Sequence, residues 1–164
     1  MKIFPVLAST LLLAACATAP RPLQGPYSSL HPADASRVSA SGESVRWGGR
    51  IVSVEPQAQR SCFEIIALPL TASGRPRQVD RSEGRFLACR AGFYDPEVFQ
   101  PGREITISGR IQGFESRKVG DFDYRYPVVD AGVVYLWPER REYDAYDRAA
   151  ARGPYGFGPF GPWW

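Results

Sequence analysis

The stretch 104–112 alternates without a fault, and no other feature of the chain limits its fold so sharply. Ile105, Ile107, Gly109 and Ile111 fall on one face, with Glu104, Thr106, Ser108, Arg110 and Gln112 on the other. Only a strand repeats its side chains every second residue, so this is a strand with one face on a core and one towards solvent. Half-buried strands of this kind belong to antiparallel sheets. Val45, Trp47, Gly49 and Ile51 repeat the pattern, while Val52 and Val54 take the opposite parity. The Gly48-Gly49 pair offers the bulge or sharp bend at which that strand changes face or partner. Further strands are expected at 62–70, 85–90, 124–129 and 132–137. About six short strands, one of them bent at glycine, predict an all-β domain: a small antiparallel barrel of OB-like form.

That barrel occupies 43–137. Behind it, 138–152 is the best helix candidate, with Pro138 in its first turn, Asp144 four residues ahead of Arg148, and Gly153 as its cap. The last segment, 153–164, contains only Gly, Pro and aromatic residues, which suits neither a helix nor a central strand. It reads as an irregular tail. Ahead of the barrel, 16–42 is rich in Pro, Ser and Ala without an apolar period, and reads as a flexible tether. His31, the only histidine, falls in that tether without partners for a metal.

The N-terminus carries an address. Lys2 is followed by 3–13, apolar apart from Pro5, Ser9 and Thr10, and then by Leu13-Ala14-Ala15-Cys16. A short apolar run ending in small residues has the shape of a secretory signal, here 1–15. It falls short of the roughly 18 apolar residues that a spanning helix needs. The cysteine directly after Leu-Ala-Ala resembles a bacterial lipobox, which implies cleavage before Cys16, a diacylglycerol on its thiol and an acyl chain on the new amine. One acyl chain binds membranes only marginally, and three on one residue anchor permanently. Ala17, where an Asp would favour the inner membrane, points to the outer one.

The chain has 3 Cys, and Cys16 leaves Cys62 and Cys89 as a pair. If their strands run antiparallel with Cys62 opposite Cys89, Glu64 faces Leu87 and Ile66 faces Arg85. That register is self-consistent, so a cross-strand disulfide is expected in an oxidising compartment. No P-loop, GxGxxG, HExxH or GxSxG occurs, so no cofactor, metal or catalytic residue is expected and the chain reads as no enzyme. Asp121 and Asp123 form the nearest carboxylate pair and suit a hairpin tip. A formal charge of +3 with a secreted location excludes nucleic acid as the partner. All 20 basic residues except Lys2 and Lys118 are arginine. Arginine forks suit anions, but GC-rich coding gives the same bias and is the simpler account. Tyr124, Arg125 and Tyr126 interleave aromatic and basic groups. They are the candidate ligand contacts, for a glycan or peptidoglycan fragment, against an ordinary cross-strand aromatic pair.

Several blocks read together carry a resemblance. Gly84-Arg85-Phe86-Leu87-Ala88, Gly92-Phe93-Tyr94-Asp95-Pro96, the run 105–113, Tyr126-Pro127-Val128-Val129 and Val134-Tyr135-Leu136-Trp137 stand in this order. With Trp47-Gly48-Gly49-Arg50-Ile51 ahead of them, they resemble the Slp family of starvation-inducible outer-membrane lipoproteins. The resemblance implies an outer-membrane lipoprotein linked to starvation or stationary-phase stress, with no established catalytic activity or cofactor; its lipid is expected to hold it on the periplasmic face. Its expected partners are the membrane, through the lipid, and envelope proteins or peptidoglycan.

Overall fold

The computed structural model describes residues 18–140. Cys16, the signal 1–15 and the tail 153–164 therefore lie outside the described residues. So does most of the expected helix 138–152; its first residues, 138–140, carry no regular structure.

Five strands form one sheet: β1 Ser44–Pro56, β2 Arg60–Ala67, β3 Arg85–Ala91, β4 Glu104–Val119 and β5 Phe122–Leu136. The sheet closes on itself in the order β1-β2-β3-β5-β4 and back to β1. All neighbours are antiparallel except β3 and β5, which run parallel through Leu87–Val128 to Cys89–Asp130. The expected alternation holds inside the ring, where Ile105, Ile107 and Ile111 are buried against Val45, Trp47, Phe63, Ile65 and Phe86.

Five strands replace the six expected because 124–129 and 132–137 are one strand. The two expected strands leave a gap at Asp130-Ala131, just ahead of Gly132. In the structure Ser108 pairs with Val133 and Gly109 with Ala131, so Gly132 is the extra residue of a bulge. The same continuity extends β4 well past residue 112, to a hairpin with Gly120 and Asp121 at its tip.

β1 changes partner where its glycines stand. Residues 44–50 pair with β4 and 49–56 with β2, so Gly49 and Arg50 serve both. The bulge itself lies further on, between Ile51 and Ser53, which accounts for the switched parity of Val52 and Val54. The glycines do something else: a Cβ on Gly49 would lie 1.8 Å from the carbonyl oxygen of Ile66. Only a residue without a side chain fits that approach. At Gly109 the same construction meets the carbonyl oxygen of Asp130 at 2.0 Å.

The two ends of the ring are stoppered. At one, helix α1 (Pro32–Val38) places Ala35 in the core, and its Ala33 N–H donates to the carbonyl of Glu83. At the other, the loop after β3 brings Tyr94 and Phe99 edge-on to Phe63, with centroids 5.3 and 5.4 Å away.

The tether expected over 16–42 is corrected across its described part, from residue 18. A 3-10 turn, Arg21–Leu23, buries Leu23 completely, and Ala19 is 8% exposed. Both pack with Trp137 on the outer face of β4 and β5. Further along, the Trp47 indole donates to the carbonyl of Leu30 at 2.7 Å, and Arg46 to that of Leu23 at 3.0 Å. The apolar residues here have no period because they serve separate sites on the ring, and an element packed from outside need not be amphipathic along its length.

Gly49→Ala is expected to lower the stability of the full chain by about 3 kcal/mol or more, since backbone must move to admit the methyl. Gly113→Ala, whose added Cβ meets nothing within 4 Å, should stay within about 0.5 kcal/mol of wild type. Denaturant midpoints of the two variants check this; equal midpoints would refute the close-approach account.

Candidate functional site

Of the three residues proposed as ligand contacts, Tyr126 is buried, Tyr124 half-buried and Arg125 exposed, and each has a partner within the molecule. Phe63 and Ile65 of β2 and Phe86 and Ala88 of β3 point into the ring, so Cys62, Glu64, Arg85, Leu87 and Cys89 point outward. Tyr126 lies over that outer face and is 1% exposed. Its hydroxyl donates to Glu64 Oε1 at 2.8 Å, to which Arg85 Nη1 donates at 2.7 Å. Tyr124 stacks at a tilt 4.9 Å from Tyr126, and its hydroxyl accepts the backbone N–H of Arg85. Arg125 lies over the Phe114 ring at 4.3 Å and donates to Ser39 Oγ and to the carbonyl of Ser36, clasping the end of α1. Each of Tyr124, Arg125 and Tyr126 thus has a structural role, and the burial of Tyr126 takes its ring out of reach of a ligand. The partners that decide these roles, Glu64 and α1, are remote in sequence.

Cys62 and Cys89 meet in the expected register, with Glu64 opposite Leu87 and Ile66 opposite Arg85. Their sulfurs are bonded at 2.07 Å. Cross-linking residues 27 apart removes loop entropy from the unfolded chain, worth roughly 3 kcal/mol. The bond ties β2 to β3 on their outer face.

The surface with unspent polar chemistry lies elsewhere. An open cleft of about 500 Å³ is lined by Arg50, Arg75, Arg77, Arg103 and Arg140 around Trp137. Its most buried acid is Glu104, whose side chain is 13% exposed. Arg75 Nε donates to Glu104 Oε2 at 2.6 Å, and Arg140 lies 2.9 Å from Oε1. Arg75 also spreads over the Trp137 ring, 5.5 Å from its centroid. Arg103 donates to the carbonyls of Val98 and Trp137 and lies 3.4 Å from Glu139. Arg50 and Arg77 are exposed and pair with no acid among the described residues. Arginine outnumbers acid here, since Asp80, Glu104 and Glu139 are the carboxylates in the lining. Guanidinium groups held in fixed planes around an aromatic floor suit an oxyanion.

This cleft adjoins the entry of the N-terminal segment. A Cβ on Gly74 would touch both Ala19 and Leu23 at 3.7 Å, and Arg75 is the next residue. Thr106 joins the two sides: it donates to the carbonyl of Gly74 at 2.8 Å and accepts the Trp137 indole N–H at 2.9 Å. Nothing local in the sequence announces the cleft, because its arginines come from four separate stretches of chain. The surplus of arginine over lysine is the one signal that could have found it.

Fold and surface together define a small all-β domain with its N-terminal segment built into its wall and a basic cleft beside that segment. A family model described as the outer membrane lipoprotein Slp family matches residues 13–164, so the chain belongs to that family and its place is the outer membrane. Outer membrane protein Slp of Escherichia coli is 27% identical over 169 residues, covering 96% of this chain and 84% of the relative. The uncharacterized lipoprotein YeaY of the same organism is 32% identical over 139 residues, covering 80% and 71%. An uncharacterized protein of Haemophilus influenzae is 36% identical over 103 residues, covering 62% of this chain and 56% of the relative. The match to this last relative therefore spans little more than half of its length.

Burial, and next the hydrogen bond to Glu64, push the Tyr126 phenol up to about 12. An unfolded tyrosine titrates near 10. Tyr126 therefore contributes stability that is full below about pH 10 and is lost as pH rises from there through about 12. Tyr126→Phe should cost about 2 kcal/mol at neutral pH, the worth of a hydrogen bond to a carboxylate. The gap to wild type should narrow above about pH 10. Denaturant titrations along the alkaline limb test it; a gap independent of pH would contradict the assignment.

Proposed function

We propose that the chain is a triacylated, non-catalytic outer-membrane module, anchored through Cys16 after removal of 1–15, that serves the envelope under starvation or stress by structural interaction. It acts from the periplasmic face, and its ring is a barrel of OB-like form. The strand order β1-β2-β3-β5-β4 and the single parallel pair β3–β5 support that form. The starvation link is supported by the family resemblance, and the anchor by Leu13-Ala14-Ala15-Cys16.

One observation carries the reading: Ala19, three residues beyond Cys16, is already packed into the wall of the domain. An anchor at Cys16 would then hold the ring directly, with no more than about 11 Å of chain between them. A domain so held meets whatever lies at the membrane surface, and envelope proteins or peptidoglycan are the partners within its reach.

Cys16→Ala tests the anchor. The variant is expected to lose all incorporated palmitate, keep residues 1–15, and vanish from the outer-membrane band of a density gradient. A variant that is still acylated and still bands with the outer membrane would overturn the proposal.

A further inference from the structure

We propose that the arginine cleft around Trp137 binds the phosphate of an anionic phospholipid headgroup in the leaflet that holds the anchor. This rests on the anchoring of Cys16. Position is the first argument. The N-terminal segment enters the domain at Ala19 and Leu23, both against Gly74, and Arg75 on the adjoining residue opens the cleft. About 11 Å of chain separates Cys16 from Ala19 at full stretch. The face carrying the cleft is thus within reach of the headgroup layer.

Charge is the second argument. Arg75 and Arg140 are fixed by Glu104, and Arg103 by backbone carbonyls, so their guanidinium planes are held in place before any ligand arrives. Arg50 and Arg77 are exposed and free of acids among the described residues, and add the net positive charge. Arginine binds phosphate in a two-pronged fashion, and juxtamembrane cations are attracted by anionic leaflets.

The rim is the third. Val79, 40% exposed, lines the cleft, and Val98, 50% exposed, is the residue whose carbonyl Arg103 holds. Exposed apolar side chains beside arginine suit the boundary between headgroups and acyl chains better than they suit water.

The test uses the full acylated protein in nanodiscs of phosphatidylcholine, with or without phosphatidylglycerol, and reads hydrogen exchange of residues 75–80. Phosphatidylglycerol is expected to slow exchange there about fivefold or more at low salt, and high salt to reverse it. Arg50→Gln with Arg77→Gln, both exposed, should abolish the slowing without changing the melting temperature. Equal protection in phosphatidylcholine alone, or none in either, would overturn the proposal. So would protection by inorganic phosphate added to phosphatidylcholine discs, which would mark a site for the free ion. Mass analysis of the same sample separates the two readings. If Cys16 carries no lipid, the anchoring itself fails. If Cys16 is acylated and phosphatidylglycerol has no effect, only the headgroup site fails.

Discussion

The ring closes because β1 carries a glycine, Gly49, where it passes between two partners. At Gly49 the neighbouring carbonyl of Ile66 occupies the volume of a Cβ, so β1 can pair with β4 on one side and β2 on the other within a few residues. Gly48 extends the effect outward. A Cβ there would come within 2.6 Å of Thr106 Oγ1, the hydroxyl that joins the Gly74 carbonyl to the Trp137 indole. A Cβ on Gly74 would in turn meet Ala19 and Leu23 at 3.7 Å. A short chain of contacts thus links the bend in the first strand to the point where the N-terminal segment enters the domain.

That linkage makes the outer face of β4 a second packing surface. Ile105, Ile107 and Ile111 fill the ring, while Thr106 and Ser108 on the opposite side are also buried, at 0% and 5% exposure. What covers Thr106 is Trp137, with Leu23 and Ala19 beside it. A buried hydroxyl of this kind needs its hydrogen bonds satisfied, and Thr106 makes both a donated and an accepted one. The N-terminal segment is consequently part of the fold, and the basic cleft is placed relative to it by the same residues.

Much of this was legible in the sequence, for identifiable reasons. Alternation at 104–112 reports a half-buried strand because the pleat has a period of two, and one cross-strand register sufficed to bring Cys62 to Cys89. The strands at 124–129 and 132–137 looked separate because Asp130 breaks the apolar run, and only the pairing of Gly109 with Ala131 and Ser108 with Val133 shows one strand bulged at Gly132. The N-terminal segment misled because Leu23 and Ala35 are buried at different places, one on the outer wall and one in the core, which leaves no periodic trace. Tyr126 alternates with Arg125 as a surface pair would, but its hydroxyl partner Glu64 lies on another strand. The arginine cleft was hidden in the same way, since a cluster assembled by folding has no spacing.

With the anchor at Cys16 proposed above, the domain would sit on the membrane and not be suspended above it. Neutron reflectometry of the acylated protein on a supported bilayer measures the water layer between headgroups and protein. Packing from Ala19 onward predicts a layer of less than about 11 Å, the reach of the few residues after Cys16. A flexible tether over 16–42 would instead hold the domain off by about 28 Å. A layer of that larger thickness would contradict the account.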